Sequence, residues 1–303
     1  MKKKILIIKT GATGDVVRTS VLLHALINDE VTWITAKKNI FVLPDRFPAL
    51  SRIVAIEDNA NCENLKTDIF DLILSLDDDI ESVKLASSLC CKKLTGAFYN
   101  NNNHKIEYTD DSAAWFDLSL ISRHGKETAD KMKYEATKSV QSYFYDMIGL
   151  NFSGEEYIIP EEIMLRNCPL NTKLIGIEDR AGTRWPSKCW NGYKELAQKL
   201  EKHGYEIRFF KERNNIRDYM RDIADCSLVI TGDTLAMHFA LALKIPTVAI
   251  FTCTSPHEIY DYGIMEKVIS PHLWKAFYKT EYVHEAVESI TQKMVWTAIE
   301  KLL

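Results

Sequence analysis

Short apolar runs alternate with amphipathic segments along most of this chain. The runs read as buried strands, because residues that face the core on both sides of a parallel sheet are continuously apolar. Amphipathic helical patterns fall between several of them, and this alternation predicts βαβ units and an α/β fold. The predicted strands are Ile5–Ile8, Val31–Ile34, Ile53–Ile56, Leu72–Leu76 and Lys93–Thr95, followed in the second half by Leu174–Ile177, Ile207–Phe210, Leu228–Thr231 and Thr247–Phe251.

The helical periodicity predicts helices between these strands, and a polar stretch separates the two halves. Residues Tyr99–Lys131 are polar and irregular and predict a long loop, while Pro160 and Pro169 mark a linker. We therefore expect two α/β domains, residues 1–159 and 160–303. The predicted helices are Asp15–Leu26, Glu135–Ile148, Trp190–His203, Ile216–Ala224, Leu235–Leu243 and a terminal helix over Val283–Leu302.

Composition narrows the class of protein. The 303 residues are 46% hydrophobic and 26% charged, as in ordinary globular proteins, and the net charge of −4 weighs against a nucleic-acid partner. Seven cysteines without a C-x-x-C pair fit a reducing compartment and give no zinc motif. No apolar run is long enough to span a bilayer. The first residues resemble the start of a signal peptide, but their apolar run is short and ends at Lys9. These features predict a cytoplasmic protein.

The first candidate site is the turn after the first strand, which contains Gly11 and Gly14 and continues into a helix. Asp15 is expected at the N-cap of that helix, where aspartate is common for purely structural reasons. The alternative is a carboxylate that the helix dipole keeps ionised and that acts as a general base. A dinucleotide-binding turn is a weaker interpretation, because Val17 stands where that motif needs a third glycine and no Tyr-x-x-x-Lys pair is present.

A similar turn, Gly232-Asp233-Thr234, follows the strand Leu228–Thr231. The first amides of the next helix have no partner within it, so Thr234 and those amides can cradle an anion. His238 lies one turn further on the same face. His238 is either part of this anion site or a structural histidine whose ring nitrogens have ordinary hydrogen-bond partners within the fold.

The segment Arg180–Trp190 follows another predicted strand and therefore lies at the carboxyl edge of a sheet, where ligands bind in open α/β folds. Arg180, Arg184 and Lys188, together with Thr183, suit a diphosphate. The plain alternative is a solvated loop beside a buried Trp190.

Three motifs together resemble glycosyltransferase family 9, whose members include ADP-heptose:lipopolysaccharide heptosyltransferases. They are the strand and Gly14-Asp15 turn, the Lys188-Cys189-Trp190 segment, and the Asp233-Thr234 turn followed by His238 and the Ala240–Thr247 stretch. The resemblance covers both halves of the chain in the right order.

The resemblance implies a GT-B architecture: two Rossmann-like domains facing a central cleft, with a C-terminal helix (283–303) that returns to the N-terminal domain. It also implies an inverting transfer without metal or other cofactor. Asp15 would be the catalytic base, with Gly14, Arg18 and Arg180 on the acceptor side. The donor would be a nucleotide sugar, with ADP-heptose as the first expectation. The residues that would bind the donor are Thr183, Arg184, Lys188, Glu212, Asp233, Thr234 and His238.

Two departures from the family keep alternatives open. Leu235 stands where the family has glycine, and the stretch between Phe210 and Ser227 is shorter than in the family. The alternatives are a different nucleotide sugar, a protein acceptor, or a silent nucleotide-sugar-binding protein. The expected partners are the donor and a glycan or glycolipid acceptor, with no nucleic acid and at most peripheral contact with the inner face of the cytoplasmic membrane.

Overall fold

Strands and helices alternate along the residues that the computed structural model describes, 2–164 and 173–303. The chain divides into two units, Met1–Glu161 and Glu162–Leu303. Each unit contains its own mainly parallel sheet, as the alternating pattern predicts. Pro169, part of the predicted linker, lies outside the described residues.

The N-terminal unit is built on a six-stranded sheet in the order β3-β2-β1-β5-β7-β8. All neighbours are parallel except β7 and β8, which form an antiparallel pair. The strands of this unit are β1 (Lys4–Ile8), β2 (Glu30–Thr35), β3 (Leu50–Ala55), β4 (Ile69–Phe70), β5 (Leu72–Ser75), β6 (Cys90–Cys91), β7 (Leu94–Asn100) and β8 (Lys105–Tyr108). Its helices are α1 (Thr13–Thr19), α2 (Leu22–Ala25), α3 (Asn59–Asn64), α4 (Ile80–Ser88), α5 (Ala113–Phe116), α6 (Lys126–Glu135) and α7 (Val140–Met147).

The register of this sheet brings three loops together. Ile8 at the end of β1 pairs with Ile34 of β2 and with Ser75 of β5. The residues that follow these strands therefore emerge at the same edge. Leu6, Ile8 and Ile73 are buried in the core beneath that edge.

The C-terminal unit has a five-stranded, fully parallel sheet in the order β10-β9-β11-β12-β13. Thr231 pairs with Glu178, and Gly232 pairs with Ile250, so β9, β11 and β12 also end at one level. The strands are β9 (Leu174–Glu178), β10 (Glu206–Phe209), β11 (Leu228–Gly232), β12 (Thr247–Phe251) and β13 (Met265–Ile269). The helices are α8 (Glu161–Met164, at the boundary), α9 (Tyr193–Lys202), α10 (Ile216–Ala224), α11 (Leu235–Ala242), α12 (Leu273–Ala276), α13 (His284–Glu288) and α14 (Gln292–Glu300).

The terminal segment differs from its prediction. The expected helix over Val283–Leu302 is two helices, because Thr291 starts α14 by accepting a hydrogen bond from the Met294 amide at 3.2 Å. The buried side chains of α14 belong to the core of the C-terminal unit, where they pack with β12 and β13.

The polar middle of the chain is more ordered than its composition predicts. The Asn100–Asn103 run forms the turn of the β7–β8 hairpin, and α5 and α6 follow. The predicted helix Glu135–Ile148 is wrong in its first turn. Ser139 caps a separate helix, α7, by accepting a hydrogen bond from the Ser142 amide at 3.2 Å.

Candidate functional site

Asp15 lies in the first turn of α1, after the carboxyl end of β1. The helix begins at Thr13 with Ala12 at the N-cap, so the prediction that Asp15 is the cap is wrong. The carboxylate is partly exposed and forms an ion pair with Arg18 at 2.8 Å. Gly14 is buried inside the same helix. The turn therefore presents the carboxylate of Asp15 and the guanidinium of Arg18, both of which the resemblance places near an acceptor.

Asn39 fixes the turn that precedes Asp15. Its side chain is fully buried, and its Nδ2 donates to the carbonyls of Thr10 at 3.1 Å and Gly11 at 3.0 Å. Its Oδ1 accepts from the Thr13 hydroxyl at 2.8 Å. One side chain thus forms hydrogen bonds with two carbonyls and one hydroxyl of the turn. The sequence pattern did not reveal this role.

A buried ion pair supports the same turn from β5. Lys9 contacts Asp77, and Asp77 also accepts from the Thr10 and Gly11 amides, the latter at 3.1 Å. Burial acts to lower the pKa of Lys9, but the charges of Asp77 and Asp15 outweigh burial and raise that pKa. A Cβ at Gly11 would lie 3.1 Å from the Asp77 carboxylate, so the glycine permits this close approach.

In the C-terminal unit, Lys188 and Asp233 form an ion pair at the end of β11. Lys188 Nζ donates to the Asp233 carboxylate at 2.8 Å and to its carbonyl at 2.7 Å, and the Thr254 hydroxyl donates to the same carboxylate oxygen at 2.7 Å. Burial alone would raise the pKa of Asp233, but the Lys188 charge and His238 outweigh burial and hold that pKa well below its usual range.

Thr234 is the N-cap residue of α11, and its hydroxyl lies 2.8 Å from that of Thr231. Leu235, the large residue at the family's glycine position, is the first residue of the helix and is partly buried. His238 is buried one turn later. The amides at the start of α11 have no helical partners, which makes this end of the helix attractive to an anion.

A pocket of about 480 Å³ opens beside this helix end. Thr234, Leu235, Arg180 and Glu212 line it, together with the buried Glu178. Arg180, predicted on the acceptor side, lines the same pocket as Glu212 and Thr234, which were predicted on the donor side. The pocket volume is in the usual range for small-ligand sites.

Arg180 is held by Glu178 along one edge of its guanidinium. Glu178 accepts from Arg180 Nε at 2.8 Å and from a terminal nitrogen at 2.9 Å, and it also accepts from the Tyr219 hydroxyl at 2.5 Å. Burial, and then the Glu178 charge, raises the pKa of Tyr219 far above its ordinary value, so Tyr219 stays a hydrogen-bond donor.

The remaining predicted residues lie along the exposed loop after β9. Thr183 and Arg184 are both exposed, and the Arg184 guanidinium lies 5.0 Å from the centre of the Trp185 ring. Trp190 is buried, and its indole nitrogen donates to the Ile290 carbonyl at 2.9 Å. The interpretation of Trp190 as a core residue is confirmed.

Sequence reasoning missed several residues at these edges. Glu178 and Asp77 come directly at or after the end of a predicted strand, so their position could have singled them out. Asn39 and Tyr219 lie on helical segments far along the chain from the groups that they bind, and nothing in the pattern marks them.

Two further findings concern the described residues alone. Within residues 2–164 and 173–303, no three His, Cys, Asp or Glu side chains come together in a way that could hold a metal ion. No helix in that part of the chain is both long and apolar enough to cross a membrane.

Comparison with known sequences shows similarity to one family. Residues 212–285 match the model of glycosyltransferase family 9 (heptosyltransferase). Lipooligosaccharide heptosyltransferase 2 of Haemophilus influenzae is 23% identical over 184 residues, which are 50% of this chain and 51% of that protein. The chain thus spans about half the length of this curated relative in the match. The family match includes Glu212, Asp233, Thr234 and His238.

Solved structures resemble the whole chain. A glycosyl transferase family 9 protein from Veillonella parvula has a TM-score of 0.68 at 18% identity, covering 99% of this chain and 97% of its own. The E. coli heptosyltransferase WaaC with ADP has a TM-score of 0.67 at 18% identity, covering 99% and 100%. The fold is therefore that of two-domain glycosyltransferases of the GT-B class. Within that class the chain is glycosyltransferase-family-9-like, which confirms the resemblance predicted from its motifs.

Proposed function

We propose that this chain is an inverting glycosyltransferase that moves heptose from ADP-heptose to a hydroxyl of a bacterial surface glycan or lipopolysaccharide core. The observation that carries the proposal is the pocket at the ends of β9 and β11. It lies partly within the stretch that matches the family, and it combines Thr234 at a helix N-terminus with Arg180 and Glu212. A nucleoside diphosphate needs both an anion site and polar groups for its ribose.

The proposed reaction is a single displacement at the anomeric carbon. Asp15 takes the proton of the acceptor hydroxyl as the oxygen–carbon bond forms. The bond between the anomeric carbon and the phosphate oxygen breaks, and ADP leaves with the electron pair. Amides at the start of α11 and nearby cations stabilise the negative charge that develops on ADP. We propose that this stabilisation suffices without a metal ion or other cofactor.

The donor assignment draws on relatives. WaaC has been solved with ADP and with ADP-2-deoxy-2-fluoro heptose, and its fold matches this chain. We propose Glu212 as a ribose contact and place the Lys188–Asp233 pair as the support of the Thr234 turn. The acceptor, with its anionic groups, would meet the N-terminal unit near Arg18, inside the cytoplasm and at most at the membrane surface.

Leu235 favours a second candidate, a protein that binds a nucleotide sugar without transferring it. Its side chain lines the pocket at the position where the family has glycine, so it reduces the room beside the helix amides. The carboxylate of Asp15 weighs against this candidate, because binding alone does not need a base beside the acceptor.

The experiment is a donor panel. The protein is incubated with a heptose-deficient lipopolysaccharide core and with ADP-heptose, UDP-glucose or GDP-mannose, and released nucleoside diphosphate is measured. We expect acceptor-dependent ADP release from ADP-heptose alone, an unchanged rate in EDTA, and a product whose new bond has the opposite anomeric configuration by NMR. Release from UDP-glucose or GDP-mannose alone would overturn the donor assignment, and binding of ADP-heptose without release would favour the second candidate.

A further inference from the structure

Another cavity lies in the N-terminal unit, at the edge of the sheet opposite to Asp15. It has a volume of about 290 Å³ and opens where β1, β2 and β3 begin. Asp15 follows the carboxyl end of β1, whereas Lys4 lines this cavity from the amino end of the same strand. The proposed glycosyl transfer uses none of the lining residues, so the cavity is separate from the proposed site of transfer.

The buried part of the cavity wall contains a hydroxyl without a protein partner. Thr32 is only 5% exposed and lines the cavity beside Phe70, which is also buried. Among the residues that the structure describes, none forms a hydrogen bond with the Thr32 hydroxyl. Buried polar groups normally have a partner, so this hydroxyl marks a position where a ligand can form a hydrogen bond.

An extra residue in β3 brings a cation to the same wall. Val31 of β2 pairs with Leu50 of β3. Thr32, the next residue of β2, pairs with Arg52, so Ser51 is inserted as a β-bulge. Because side chains alternate between the two faces of a strand, the insertion places Arg52 on the face that Thr32 occupies. The Ser51 hydroxyl donates to the Val31 carbonyl at 2.9 Å and thereby holds the bulge.

Two cations and two carboxylates line the cavity, so the charges of its wall balance. Asp68 accepts a hydrogen bond from Arg52 at 3.0 Å, and its other carboxylate oxygen lies 3.5 Å from Lys4 Nζ. Asp68 thus links the two strands that flank β2. Glu30, at the start of β2, also lines the cavity, and its carboxylate has no partner within the described part of the chain.

These groups keep most of their capacity to bind a ligand. Arg52 uses one of its five N–H donors on Asp68, and Lys4 contacts the same carboxylate only at ion-pair distance. Both cations can therefore still bind a carboxylate, while Glu30 and Thr32 can accept hydrogen bonds from an ammonium group. A simple anion would also face two carboxylates, and a simple cation would also face two basic groups, so neither suits this wall.

We propose that this cavity binds a small zwitterion, namely a free α-amino acid. The carboxylate of the ligand binds Arg52 and Lys4, and its ammonium group binds Glu30 and the Thr32 hydroxyl. The cavity volume is near the lower end of the range for small-ligand sites, which suits a ligand of this size. The site is independent of the proposed transfer of heptose.

The experiment screens the intact chain against the common proteinogenic amino acids by thermal shift and titrates those that stabilise it by calorimetry. At least one amino acid should bind. Its N-acetyl derivative and its methyl ester should each bind at least about 10-fold more weakly, because each lacks one of the two charges.

Variants then locate the site. Arg52→Gln and Glu30→Gln should each weaken binding of the same amino acid at least about 10-fold, and Thr32→Val should weaken it by a smaller factor. Glu63→Gln is the matched control, because Glu63 is 66% exposed and forms an ion pair with Lys66 elsewhere in this unit. The control should bind like wild type, and thermal unfolding checks that each variant is folded.

The outcomes separate this proposal from the proposed function. Failure of every amino acid to bind would overturn the proposal, and so would equal binding of the N-acetyl derivative or the methyl ester. Unchanged amino-acid affinity in folded Arg52→Gln and Glu30→Gln variants would place the ligand elsewhere and would also overturn it. ADP affinity and heptose transfer, measured on the same samples, should equal those of wild type in both variants, so failure of either proposal leaves the other standing.

Discussion

At the scale of single residues, two ion pairs of this chain differ in how far their carboxylates are exposed. The Lys188–Asp233 pair is mostly buried, with side chains 16% and 15% exposed. The Thr254 hydroxyl also donates a hydrogen bond to the Asp233 carboxylate. The Asp15–Arg18 pair combines an 11% exposed arginine with a 33% exposed carboxylate. The first arrangement suits a structural support, and the second keeps a carboxylate within reach of a substrate.

The Lys188–Asp233 pair predicts how the stability of the folded protein changes at acid pH. The folded-state pKa of Asp233 lies below its unfolded value of about 3.9, so its contribution to stability is complete above that value and is lost as the pH falls toward the folded pKa. Asp233→Asn should destabilise the protein by about 3 kcal/mol at pH 7, because Lys188 then loses its charge partner.

Urea unfolding between pH 7 and pH 3 measures this effect. The difference in unfolding free energy between wild type and Asp233→Asn should shrink below pH 4, by at most about 1.4 kcal/mol per pH unit. Asp225→Asn is the matched control, because Asp225 is 54% exposed beside Arg208 and should change little. A difference that stays constant down to pH 3 would show that Asp233 is not held ionised by its surroundings.

At the scale of elements, the turn between β1 and α1 shows how this fold builds a site. Asn39, from the short 3-10 helix Lys37–Val42, bonds both carbonyls of the turn, and Asp77, after β5, bonds its amides. The backbone polar groups of the turn are thus satisfied from two neighbouring loops. This arrangement holds the start of α1, and with it Asp15, in one position.

Asn39→Ala should therefore affect both stability and turnover. Loss of the three hydrogen bonds of this buried side chain predicts a destabilisation of about 2–4 kcal/mol. The rate of glycosyl transfer should fall more than the affinity for ADP, because the change lies beside Asp15 and outside the unit that contains the proposed nucleotide pocket. Asn61→Ala, at an exposed helix start, is the control. Equal losses of rate and ADP affinity would contradict a local effect on this turn.

How far the sequence predicts these elements depends on burial. Strands such as β1 and β11 are buried on both faces, so their apolar runs were recognised. Strand β13 was missed because Glu266 and Lys267 interrupt its apolar residues, and β8 was missed because it lies in a polar hairpin at the sheet edge. The contacts of Asn39 depend on tertiary packing, which a local pattern does not contain.

At the scale of the whole molecule, each unit carries polar groups at the carboxyl edge of its own parallel sheet. The N-terminal unit offers Asp15 and Arg18, and the C-terminal unit offers the pocket with Arg180 and Thr234. The sequence predicted this division of roles through the resemblance to family 9, and the fold comparisons confirm the two-domain class. That Arg180 contacts Glu178 and lines a pocket with Thr234 is known only from the fold.

The central claim is that Asp15 acts as a base on the acceptor while the donor is bound elsewhere. The most direct measurement is transfer of heptose from ADP-heptose to the lipopolysaccharide core by wild type and Asp15→Asn, with ADP affinity measured on the same samples. Asparagine keeps a hydrogen-bond acceptor for Arg18, so we predict a folded variant with unchanged ADP affinity and a transfer rate lowered about 10²- to 10⁴-fold. The exposed Glu127→Gln variant should match wild type. An Asp15→Asn protein that transfers heptose at the wild-type rate would contradict the account.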